Sequence, residues 1–111
     1  MQKNTRHILI LSTCPDAGVA GAIAQALVTD RIAACVNIIP GITSRFRWKG
    51  QIESSDEQLL LIKTTSDRYQ DAEKKIRTMH PYELPEIIAI PVTLGLADYL
   101  NWIDQETQYS S

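Results

Sequence analysis

Among the chain's two thiols, two thioethers and two imidazoles, the Cys14 thiol, the Met79 thioether and the His80 imidazole are the ones that could do chemistry together. Thiolate, thioether and imidazole together suit Cu(I), so these three form a candidate metal set. Each also has a structural reading. Cys14 precedes Pro15 and suits a turn, Met79 suits a core, and His80 suits the end of a helix, where partial positive charge is favoured. A second group, Trp48, Glu53, Lys63, Tyr82 and Glu86, mixes aromatic and charged residues. Taken singly these are packing aromatics and ion-pairing residues; meeting between subunits, they line a pocket for a small polar ligand.

Catalysis needs more than this. Ser12, Cys14 and His80 have no evident orienting carboxylate, and the chain holds neither a G-x-G-x-x-G nor a phosphate-loop motif, so no catalytic residue is assigned and no enzyme is expected. Cys35, inside an apolar run, reads as a small buried hydrophobe. His7, ahead of the first strand, reads as solvated.

The elements that must position these residues follow from periodicity. His7 to Thr13 is a branched apolar run that reads as a buried strand, ended by Cys14-Pro15-Asp16. From Pro15, placed in the first helical turn, to about Arg31, the residues Ala20, Ile23, Ala24, Leu27 and Val28 recur at helical spacing. Ala33 to Trp48 exceeds an ordinary strand, and Pro40-Gly41 marks a bend or bulge within it. Beyond the break, Ile42, Ser44, Phe46 and Trp48 alternate with Thr43, Arg45, Arg47 and Lys49, which gives one apolar and one basic face. Lys49-Gly50 turns the chain back through residues 51–65 as a long antiparallel hairpin. With Gly50 in the bulge of a three-residue loop, Arg45 would face Glu53 and Phe46 would face Ile52.

Ser66 is placed as the cap of a second helix, on which Tyr69, Ala72, Ile76 and Met79 share a face, and Pro81 bars helical geometry at His80. Ile87 to Ile90 with Val92 reads as a strand that Pro91 consigns to an edge or a bulge. Leu96, Tyr99, Leu100 and Ile103 mark a last helix.

This order is that of an α+β, ferredoxin-like βαββαβ sandwich with a long β-hairpin and an extra C-terminal helix. Its topology gathers residues 12–14, 48–51 and 79–86 at one edge, where chemistry is expected. The hairpin's Phe46, Trp48 and Ile52 reach past what two helices of one subunit can cover. Exposed strand edges favour association, and closed rings avoid open-ended growth, so a closed homo-oligomer is expected.

Composition sets outer limits. With 111 residues, 44% of them hydrophobic, residues 1–111 fit a single domain that needs no metal or disulfide to fold. The net charge of −2 lacks the basic excess of a nucleic-acid binder, and the single Phe gives no run of stacking aromatics for RNA. Charge is uneven: residues 1–50 carry +4 and residues 51–111 carry −6, so either both sets are solvated or the halves face one another within or between subunits. No apolar run approaches the roughly 20 residues of a spanning helix, and the opening residues do not read as a signal peptide. Two cysteines without a CxxC pair read as free thiols in a reducing compartment. A cytoplasmic protein with no membrane partner is therefore expected.

The segments Leu11 to Asp16, Ala33 to Ile42, Trp48-Lys49-Gly50 with Glu53, Lys63-Thr64-Thr65, and His80 to Glu86 resemble, in order, those of the CutA1 family of divalent-cation tolerance proteins. The resemblance spans nearly the whole chain. It implies a homotrimer similar in architecture to the PII signalling proteins, each hairpin extending onto a neighbour. It also implies a part in tolerance of copper or another divalent cation, with copper held through a thiol and a histidine pair in some members. Those three positions correspond here to Ser12, Met79 and His80, so only the second histidine is retained, and Cys14 with Met79 and His80 is the replacement set. A PII-like sensor of a small ligand, without direct metal binding, is the alternative.

Overall fold

The computed structural model describes residues 6–108. Four strands and three helices follow in the order β1 (His7–Cys14), α1 (Ala17–Thr29), β2 (Cys35–Trp48), β3 (Gln51–Thr65), α2 (Tyr69–Met79), β4 (Ile88–Pro91) and α3 (Ala97–Glu106). The strands form one sheet in the order β2-β3-β1-β4, and every neighbouring pair is antiparallel. β1 and β2 therefore run the same way on either side of β3, as the expected fold requires.

Alternation along β1 sends Ile10, Ser12 and Cys14 to the helix-covered face, where all three are fully buried. Ile10 and Cys14 meet Ala20, Ile23 and Leu27 of α1, Leu60 and Ile62 of β3, and Ala72 and Ile76 of α2 in one apolar core. α1 starts two residues later than its sequence suggests, at Ala17 rather than Pro15. Asp16 is the N-cap, its Oδ1 accepting from the Val19 N–H at 2.9 Å, so Pro15 precedes the helix. The helix ends on Arg31 at φ 59°, with Ile32 N–H reaching back to the Leu27 carbonyl, a left-handed termination made without glycine.

Three further expectations are corrected. The hairpin pairs Phe46 with Glu53, Arg47 with Ile52 and Trp48 with Gln51, one residue out of the expected register. Lys49 and Gly50 take φ of 51° and 80°, which makes a two-residue turn whose twist matches the strands and needs no bulge. Ser66 does not cap α2: it opens a 3-10 turn, Ser66–Arg68, whose cap residue Thr65 makes no side-chain capping bond. His7 is buried, with Nε2 2.8 Å from Asp104 Oδ1 and 3.2 Å from the Leu100 carbonyl oxygen.

The break at Pro40-Gly41 is a register shift between Ile39 and Ile42, with Gly41 at φ 79°, and it sits on an edge strand where Pro is tolerated. β4 is the opposite edge. α3 buries Ile103 but leaves Leu96 74% exposed, and β4 and the hairpin leave Ile88, Ile90, Phe46 and Ile52 exposed.

Candidate functional site

β1, β3 and the segment after α2 converge at one end of the sheet. α2 stops because His80 precedes Pro81, and His80 takes extended backbone at φ −82°, ψ 135°. Its N–H still donates to the Ile76 carbonyl at 2.8 Å, which anchors the departing chain. The ring is buried and held at both nitrogens. The Tyr82 N–H donates to Nδ1 at 3.2 Å, so in the neutral ring Nε2 carries the proton and donates to the Thr13 carbonyl at 2.7 Å.

Tyr82 lies against this imidazole, with ring centroids 4.6 Å apart. Its hydroxyl donates to Glu57 Oε2 at 2.8 Å. Burial, followed by the bond to Glu57, pushes the Tyr82 phenol up. Glu57 itself is only 7% exposed. Cys14, on the helix side of the sheet, is pushed up to about 11, first by burial and then by the negative charges of Glu57 and Asp16. It is an inert thiol.

Glu57, Thr13 and Tyr82 line a cleft of about 680 Å³, bordered by the hairpin at Ser44 to Trp48 and by the chain at Leu84 to Ile88, including Glu86. An adjoining cleft of about 460 Å³ shares Phe46, Trp48, Tyr82 and Leu84 and adds Glu53. Of the residues expected to meet between subunits, Trp48 lines both clefts as Tyr82 does, Glu86 lines the first and Glu53 the second. Lys63 is elsewhere, its Nζ donating to Asn37 Oδ1 and lying 3.9 Å from the half-buried Cys35 Sγ. Glu57 is the residue that sequence reasoning missed. Its signal was its pairing position: a carboxylate directly opposite Ile42 and two residues before Leu59, on a face that must be part-covered.

The sequence profile of the CutA1 divalent ion tolerance proteins matches residues 8–106. This chain belongs to the CutA1 family. The divalent-cation tolerance protein CutA of Thermus thermophilus is 44% identical over 99 residues, covering 89% of this chain and 96% of the relative. Human protein CutA is 49% identical over 96 residues, covering 86% of this chain and 54% of the human one, so the chain spans about half the length of that relative. Among solved structures, CutA of Xylella fastidiosa superposes with a TM-score of 0.90 at 46% identity, covering 92% of this chain and 98% of that one. A protein of Archaeoglobus fulgidus described as periplasmic CutA gives 0.90 at 39% identity, covering 92% and 99%.

Family membership raises the question of a metal, and the soft-donor set answers poorly. Both His80 nitrogens are engaged, Cys14 is buried and holds its proton, and Met79 packs against the apolar core. Among the described residues no three His, Cys, Asp or Glu side chains gather in a way that would hold an ion. Cys14, Met79 and His80 therefore do not fit a copper ion within one chain, and Ser12 is a fully buried hydroxyl without a hydrogen-bond partner among the described residues. No helix among the described residues is long and apolar enough to cross a membrane.

Proposed function

We propose that this chain is a divalent-cation tolerance protein that acts without catalysis, in the cytoplasm, as a closed homotrimer whose functional site is the cleft at the hairpin base. The observation that carries the reading is family membership over residues 8–106, with a tolerance protein aligned along 96% of its own length. The two cysteines are free, which suits a reducing compartment.

Trimer formation is supported by what one chain leaves uncovered. Ile38, Ile39, Phe46, Ile52, Ile88 and Ile90 are all exposed, Ile52 at 73%, and they lie on the hairpin and on the free edge strand β4. Apolar side chains exposed along both edges of a sheet are buried by association. A ring closes that surface with three identical contacts.

The test is complementation. A bacterium deleted for its own member of the family and supplied with this chain grows in copper concentrations that stop the deletion strain. Equal sensitivity of the two, with the chain expressed and folded, contradicts the reading.

A further inference from the structure

We propose that the cleft binds a small organic cation, a primary ammonium or guanidinium carried on an apolar body, with Glu57 as its counter-ion. The proposal rests on the cleft being the functional site and adds the class of ligand.

Glu57 is the starting point. It is more than nine-tenths buried and lines the cleft. Among the described residues its one hydrogen bond comes from the neutral Tyr82 hydroxyl, and no cation lies within ion-pairing distance of it. Carboxylates this deeply buried are ordinarily paired, because the loss of hydration is large and one neutral donor offsets little of it. Glu57 stands in the lining of the cleft beside Thr13 and Tyr82. A cation entering there gains a charge partner in a partly desolvated site, where the attraction is much stronger than in water.

The walls define the rest of the ligand. Trp48 and Leu84 offer apolar surface beside the acidic floor, and aromatic faces attract cations directly. Arg45 and Arg47 border the same cleft, but both are exposed and pair with no described carboxylate. Their charge is hydrated and screened at the rim, so the buried carboxylate dominates selectivity. A bare divalent ion is disfavoured because the cleft does not gather three ligating side chains.

Binding of 2-phenylethylammonium, 2-phenylethanol and phenylacetate to the assembled protein, followed by tryptophan fluorescence and calorimetry, tests this. The ammonium binds at least about tenfold tighter than the neutral alcohol, and phenylacetate binds weakest. Glu57→Gln removes the preference for the ammonium, and the ranking of the three probes on the unaltered protein decides the matter if that variant does not fold. Equal affinity for all three probes, preference for phenylacetate, or no binding of the ammonium overturns the proposal. So does Cu²⁺ alone displacing the ammonium by occupying Glu57. None of these results changes whether the chain confers copper tolerance, so the two readings fail separately.

Discussion

The Tyr82 hydroxyl donates to Glu57 Oε2 across 2.8 Å, tying the segment after α2 to the middle of the long hairpin. The same tyrosine's N–H holds His80 Nδ1, and His80 in turn holds the Thr13 carbonyl. One residue thus couples β1, β3 and the chain beyond α2.

Removing that donor leaves a buried carboxylate short of its hydrogen bond. Tyr82→Phe is expected to lower the unfolding free energy by about 1–3 kcal/mol. In a Glu57→Gln background, where no charge is left bare, the same change costs less. A double-mutant cycle by urea unfolding at fixed protein concentration measures the difference; equal costs in both backgrounds would remove the coupling.

Cys14 ties stability to alkaline pH. Its thiol is raised from 9.0 to about 11 in the folded chain, so the folded state holds the proton more tightly than the unfolded one. That contribution is complete below about pH 9 and is lost as pH rises through 11. The unfolding free energy of the parent protein should fall toward that of Cys14→Ala between pH 9 and 11 and keep a constant offset from pH 6 to 8. Parallel curves over the whole range would contradict this.

The hairpin turn places a lysine in left-handed backbone, at φ 51°. Asparagine tolerates that region better and Asn-Gly is the favoured pair for such a turn, so Lys49→Asn should stabilise by about 0.5 kcal/mol. Gly50→Val, at φ 80°, should destabilise by about 1–2 kcal/mol. The Lys49 contacts that are lost, 4.0 Å to Glu83 and 5.7 Å to the Trp48 ring centroid, are exposed and contribute little. Chemical denaturation of both variants checks the opposite signs.

Among the helices of the described residues, α1 is the one with a side-chain N-cap, Asp16. Asp16→Ala should cost about 1 kcal/mol, and Asp16→Asn much less, since either Asp or Asn can accept from the Val19 N–H. Thermal unfolding of the pair separates the cap from the charge. Equal losses would assign the effect to charge near Cys14.

Strand and helix order was legible because α1 has a clear period, with Ala20, Ile23 and Leu27 on one buried face, and β1 is a short continuous apolar run stopped by Pro15. Pro40-Gly41 and Pro81 announced the bulge and the end of α2 through their own backbone limits. The hairpin register was not legible, because it depends on Lys49 accepting a positive φ that its side chain does not advertise. Nor was the burial of His7, which follows from α3 folding back to present Asp104 and Leu100, a contact between residues nearly a chain length apart. The nearness of Trp48, Tyr82 and Glu86 followed from topology, whereas Glu53 lies outside the segments that topology gathers and lines only the adjoining cleft. Glu57 escaped notice because a single carboxylate in an alternating strand ordinarily points to water.

Sedimentation equilibrium of the protein at micromolar concentration bears most directly on how the exposed hairpin is accommodated. A single species of three times the chain mass is expected, with Trp48→Ala and Ile52→Glu shifting it toward one chain before the subunit unfolds. A folded, stable single chain in the unaltered protein would contradict the account.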